Sequence, residues 1–150
     1  GAMAIGIPAA QLAALRKGMA AKPRKPIDTA AVDLLAFHVK AQRLPAPDRE
    51  YRFAAMAVGG TGAGVKERLR KARLRDWRFD FAWPDQMVAL EMDGGGFVGG
   101  RHGTGPGIEK DCEKYSNAAA MGWRLLRVTP RQVKSGQAVD WIGKALEIRS

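Results

Sequence analysis

Apolar and polar positions alternate along this chain with two different periods, and the changes of period mark out its elements. Leu12 and Leu15 share one stripe of a short helix expected from Pro8 to about Met19. The basic, proline-bearing stretch AAKPRKPI (20–27) reads as a linker. Val32, Leu35 and Val39 recur at helical spacing in a second helix, capped by Asp28 or Thr29 and running to about Arg43. Leu44-Pro45-Ala46-Pro47-Asp48 ends it. Glu50 to Val58 reads as a first strand, and Gly59-Gly60-Thr61-Gly62-Ala63-Gly64 as a flexible loop. Two more strands follow, joined by a tight Trp83-Pro84-Asp85-Gln86 turn. Ile108 to Met121 is expected to be a helix with Ile108, Cys112, Tyr115 and Ala119 as its buried stripe. Trp123 to Thr129 reads as a strand, and Gln137 to Ile148 as a last helix.

The coarse order α-α-β-β-β-α-β-α predicts an α/β fold, a central mixed sheet flanked by helices, with an N-terminal helical extension. The passage from residue 87 to 129 predicts a last strand parallel to 87–93. Residues 1–3 read as a tag remnant, 4–45 as the helical extension and 46–150 as the core of a single domain. The extension either forms a dimerisation arm or packs on the sheet, so a homodimer is one expected assembly.

The hairpin carries the most informative residues. Strand side chains alternate faces, so Phe79, Phe81 and Trp83 share one side and Arg78, Asp80 and Ala82 the other. Val88, Leu90 and Met92 likewise oppose Met87, Ala89, Glu91 and Asp93. Asp80, Glu91 and Asp93 therefore gather on one side of the hairpin. With a symmetric turn Asp80 pairs near Ala89, and Glu91 is its diagonal neighbour about 7–8 Å away. Half-buried acids need a metal or a basic partner, because isolated charges are costly to desolvate. Asp80 and Glu91 are candidate ligands of a hard cation such as Mg²⁺, with Asp93 a third ligand or an orienting group.

Composition narrows the partner. A net charge of +10 and a pI near 10.3 point to a polyanion, foremost nucleic acid. Lys66, Arg68, Arg70, Lys71, Arg73, Arg75 and Arg78 crowd one stretch against only Glu67 and Asp76, so phosphate contacts with little sequence specificity are expected there. Arg101 adds to that surface. No apolar run is long enough to cross a membrane, so no membrane partner is expected. The single cysteine, Cys112, fits a reducing compartment and excludes cysteine-based zinc sites. GGTGAGVK (59–66) lacks the Gly-Lys-Ser/Thr of a nucleotide-binding loop, which argues against nucleotide hydrolysis.

A cation beside the carboxylates would position a water or offset charge on a phosphate. On a helical wheel with about 100° per residue, Asp111 and Lys114 flank the buried stripe of helix 108–121, while Lys110 falls nearly opposite it. Lys114 therefore ranks above Lys110. His102, in the glycine-rich stretch 94–107, is either a general base, a phosphate contact or a plain loop residue.

The strand Asp, the turn and the Glu-x-Asp-Gly-Gly ending, with WRFDFAWP (77–84), EKDCEKY (109–115) and GWRLLRVTPRQV (122–133), resemble the PD-(D/E)XK nuclease superfamily. The nearer likeness is to its very-short-patch-repair-like and small phage or prophage endonucleases. The resemblance covers roughly 49–133 and implies a restriction-endonuclease-like core. It also implies a metal-dependent DNA endonuclease with Asp80 and Glu91 as ligands of Mg²⁺, for which Mn²⁺ can substitute. The setting it implies is the cytoplasm of a bacterium or a phage-infected host. Where much of the superfamily has lysine, two residues after the glutamate, this chain has Asp93, so either the lysine role moves to Lys114 or Lys110 or this branch manages without it. Related nucleases often carry an extra acid upstream, here Glu50, which otherwise reads as a surface carboxylate beside Arg49 or Arg52. A structure-selective enzyme acting on branched or Holliday-junction DNA in phage recombination or packaging is one form of this reading. The alternatives are a non-catalytic nucleic-acid-binding protein on a degenerate nuclease fold, with the acids serving Arg78 and Arg124, and an RNA nuclease.

Overall fold

The computed structural model describes residues 28–94 and 105–147. The helix expected at 8–19, together with Arg101 and His102, lies outside the described residues. Helix α1 (Thr29–Ala41) begins at Asp28, whose carboxylate accepts the Ala31 N–H at 3.1 Å and so satisfies an otherwise unpartnered first-turn donor. It leads to strand β1 (Asp48–Tyr51), then the short helices α2 (Phe53–Ala57) and α3 (Val65–Lys71). Strands β2 (Phe79–Trp83) and β3 (Val88–Met92) form the hairpin. Helix α4 (Gly105–Ala120) crosses to strand β4 (Arg124–Val128), and helices α5 (Pro130–Lys134) and α6 (Gln137–Glu147) follow.

The described strands form one sheet in the order β1-β2-β3-β4. The first three pair antiparallel, and β4 runs parallel to β3, as the strand–helix–strand passage predicts. Both faces are covered. On one, Phe81, Trp83, Val88, Leu90, Met92 and Val128 pack against α1, α5 and α6. On the other, Phe79, Ala82, Ala89 and Trp123 meet Phe53, Leu69 and Ala118 from α2, α3 and α4. Burying side chains such as Phe81, Leu90 and Ile142 completely contributes roughly 1.5–3 kcal/mol each. Among the described residues no helix is long and apolar enough to cross a membrane.

Helix α1 packs on the sheet, one of the two placements expected for the extension: Ala31, Val32, Leu35 and Val39 are buried in the larger cluster. Several other expectations need correction. The strand expected at 50–58 ends at Tyr51, and the alanine-rich Phe53–Ala57 turns helical. Alanine is the strongest helix former, and three consecutive buried residues, Phe53 to Ala55, do not alternate as a half-buried strand would. The turn lies one residue later than expected. Pro84–Gln86 form a 3₁₀ turn that Met87 closes with φ +55°, so Ala82, not Asp80, pairs with Ala89. The pleat also breaks at Asp80, since Phe79 packs on the same face as Ala82 and Ala89 rather than with Phe81.

Candidate functional site

The register puts an unexpected row of charge across the sheet. One step beyond the paired Phe81 and Leu90 lie Asp80 and Glu91. Between the pairs Arg49–Phe81 and Tyr51–Phe79, Glu50 faces Asp80. Glu91 in turn pairs with Arg127 on β4. Continued one step past the last paired residues, the register sets Asp80 opposite Glu91 rather than in the diagonal relation expected of them.

Helix α4 delivers the cation. Ala118, almost fully buried, seats the helix against Ala82, Ala89 and Trp123. Its small side chain lets the helix approach the sheet. Residues three and four positions earlier share that face, and these are Tyr115 and Lys114. The sheet-facing stripe is therefore rotated from the expected one. Ile108 is 46% exposed and Cys112 is exposed rather than buried. Lys110 points to solvent.

Glu91 is held at both oxygens. Its Oε1 makes an ion pair with Lys114 Nζ, and each of the two side chains is only 15% exposed. Its Oε2 accepts the Tyr115 hydroxyl at 3.1 Å. The ammonium also lies 5.9 Å from the centroid of the Phe79 ring and 5.7 Å from that of Tyr115, distances at which a cation is attracted to a ring face. Arg127 stacks on the Tyr115 ring at 4.9 Å and donates to Asp93 Oδ1 at 2.9 Å. Burial raises the Tyr115 phenol pKa, and the neighbouring Glu91 charge raises it further, so the hydroxyl stays a donor. The Arg127 guanidinium is held above its ordinary value: burial, the largest single influence, opposes its charge, and the bond to Asp93 together with the charge interactions with Tyr115, Asp93 and Asp111 more than offsets it.

Asp80 Oδ2 accepts the Met92 N–H at 2.7 Å, so the carboxylate lies beside the backbone just after Glu91. Asp93 is turned toward Arg127 in a half-exposed pair and does not join the other two. Among the described residues there is no group of three or more His, Cys, Asp or Glu side chains arranged to hold a metal ion. The carboxylates brought together are Asp80 and Glu91, a two-acid set with Lys114 beside it. Glu50 is exposed and has a left-handed backbone, φ +49°, which for a residue other than glycine, asparagine or aspartate marks strain.

The basic stretch divides into two kinds of residue. Lys66, Lys71, Arg73 and Arg78 are exposed. Arg70 is exposed and paired with Glu67, and Arg75 lies 3.6 Å from Glu113, which brings the segment after α3 alongside α4. Arg68 belongs elsewhere. Its Nε donates to Val58 O at 2.8 Å, Nη1 to Ala63 O at 2.8 Å and Nη2 to Gly60 O at 3.0 Å. Arg68, expected to contact phosphate, latches the glycine loop with these three bonds, and that loop is organised rather than slack.

Comparison of the chain with protein-family models, with curated proteins and with solved structures finds no match.

Sequence reasoning missed the roles of Tyr115 and Arg127. The signal was present: Tyr115 adjoins Lys114, and Arg127 lies in the strand that pairs with β3. A helical wheel centred on Ala118 instead of Cys112 brings both Lys114 and Tyr115 onto the sheet.

Proposed function

We propose that this chain is a metal-dependent DNA endonuclease of the PD-(D/E)XK type, hydrolysing phosphodiester bonds at Asp80, Glu91 and Lys114. The observation that carries the reading is the convergence of these groups from three elements: Lys114 of α4 on Glu91 of β3, beside the Asp80 carboxylate of β2. The donor set suits Mg²⁺. It is all oxygen, and a carboxylate offers about four lone-pair sites, so the hydrogen bonds described do not exhaust it. Bound there, Mg²⁺ or Mn²⁺ would polarise the phosphoryl oxygen and lower the pKa of a water. Lys114 supplies a positive charge for the phosphate, and Tyr115 and Met92 N–H hold the two carboxylates in place. Lys66, Lys71, Arg73 and Arg78 offer phosphate contacts on the exposed basic segment, whose hold on DNA weakens as salt rises. Branched or Holliday-junction DNA, met in phage recombination or packaging within a bacterial cytoplasm, is the substrate class this reading favours, with a homodimer as the acting form.

A second reading has its own observation. Both Glu91 oxygens and one Asp80 oxygen already have protein partners, as acids in a purely structural role would. A nucleic-acid-binding protein on the same fold would show this too. A gel assay on labelled duplex, single strand, flap, fork and four-way junction, with matched RNA, separates the two. Cutting with Mg²⁺ or Mn²⁺ that is absent in EDTA and lost in Asp80→Ala and Glu91→Ala supports the nuclease. Tight binding without cutting on every substrate refutes it and leaves the binding protein.

A further inference from the structure

The partners of Glu91 differ in how firmly they are themselves held. Tyr115 has a rigid ring with two rotatable bonds, and Arg127 covers that ring at 4.9 Å while anchored to Asp93. Moving its hydroxyl away from Glu91 means moving helix α4 or breaking the Arg127 stack. Lys114 sits on a flexible four-carbon stem. Its ammonium already lies near the Phe79 and Tyr115 ring faces, which give it a second resting place once it leaves the carboxylate. A divalent cation arriving at Glu91 must share or displace one of these two partners, and the ammonium is the one of like charge.

We propose that Lys114 and the divalent cation exchange at Glu91, while Tyr115, braced by Arg127, is the positioning residue that holds the carboxylate through the exchange. The inference rests on the metal-site reading above and adds an order of events to it. Without the cation, Lys114 is engaged by Glu91. With the cation bound, the ammonium is released to meet a phosphate. Metal therefore loads before productive DNA contact, and the ion pair keeps Glu91 satisfied in the meantime. The same arrangement gives Tyr115 a part that cutting assays alone would not separate from that of Lys114.

The test measures Mg²⁺ binding directly, by calorimetry without DNA, on wild type, Lys114→Met, Lys110→Met, Tyr115→Phe and Glu91→Gln. Lys110→Met removes the same charge from the exposed side of the same helix and reports the general electrostatic effect. The expectation is that Lys114→Met binds Mg²⁺ about tenfold more tightly than wild type, in the range usual for coupled sites, and clearly more tightly than Lys110→Met. Tyr115→Phe should bind more weakly than wild type. Equal affinities for Lys114→Met and Lys110→Met would overturn the exchange while leaving the metal site standing. Binding unchanged by Glu91→Gln, or absent from wild type, would overturn the metal site itself and the exchange with it. A second measurement needs no variant: lysine acylation of wild type read by mass spectrometry. Modification of Lys114 should rise when Mg²⁺ is added while that of Lys110 stays constant. A Lys114 signal indifferent to Mg²⁺ refutes the release.

Discussion

Replacing Arg68 with lysine separates the two roles this residue has been given. A phosphate contact needs only the charge, which lysine keeps. A latch needs the planar fork, which lysine lacks. Arg68 donates three hydrogen bonds, to Val58, Gly60 and Ala63 carbonyls, and lysine at this position retains one at best. A hydrogen bond from a charged donor contributes about 1.5–3 kcal/mol. The loop borders solvent, so the released carbonyls regain water and the lower figure applies. Two lost bonds then cost roughly 3 kcal/mol. For a domain of this size each kcal/mol moves the melting midpoint by about 2–4 °C, so Arg68→Lys should melt roughly 6–12 °C below wild type. Calorimetric melting measures this, and amide hydrogen exchange at residues 59–64 should accelerate in the same variant. DNA affinity, measured well below the melting transition, should change little. A variant that melts within about 2 °C of wild type yet binds DNA markedly less would refute the latch and restore the phosphate contact.

Three further outcomes are expected. Glu91→Gln strips a largely buried Lys114 of its anion and should cost about 2–3 kcal/mol in urea unfolding, less than the 3–5 kcal/mol of a fully buried pair. Adding Lys114→Met to Glu91→Gln should recover at least about 1 kcal/mol, and strict additivity of the two changes would show that the pair is not coupled. Glu50→Gly should raise stability by roughly 0.5–1 kcal/mol, because relief of a left-handed backbone exceeds the added entropy of the unfolded chain. A loss of stability would mean that the Glu50 side chain holds the edge of the sheet. The Arg52 guanidinium, bonded at 2.9 and 2.8 Å, holds the Asp76 carboxyl below its usual range, against a smaller opposing effect of burial. A depressed carboxylate contributes stability that is complete above its unfolded pKa, near 3.8, and is lost as pH falls through the folded one. Melting midpoints taken from pH 6 down to pH 2 should therefore fall less steeply below about pH 4 in Asp76→Asn than in wild type; parallel curves would remove Asp76 from the acid limb.

The strongest periodic signals were legible in the sequence. The two strands of the hairpin, the parallel last strand and the helix bearing Val32, Leu35 and Val39 stand where the pattern puts them, although the hairpin's register and its alternation at Asp80 do not. Lys114 was also legible, although the stripe used to find it was not the buried one. That error has a physical source. Ile108 and Cys112 are more apolar than Lys114 and Tyr115, so a wheel weighted by hydrophobicity turns the helix toward them. Long amphipathic side chains can lie along a core while their polar ends bond outward, and a single alanine, Ala118, decides which face comes close. The register that sets Asp80 opposite Glu91 was hidden because it depends on a one-residue choice of turn, made by Pro84 and by Met87 in a left-handed conformation. The Arg68 latch was hidden because its partners are backbone carbonyls, which composition does not distinguish.

Strand β1 has a consequence for assembly. It is four residues long, its Asp48, Arg49 and Glu50 are exposed, and Glu50 kinks the backbone at its centre. An outer strand invites a neighbouring molecule to continue the sheet, and short length, charge and a kink are the features that discourage it. A second copy of the chain approaching from that side finds no straight row of amide and carbonyl groups to pair with. If two copies associate, they do so elsewhere on the molecule, and the sheet of each remains closed to the other along this border.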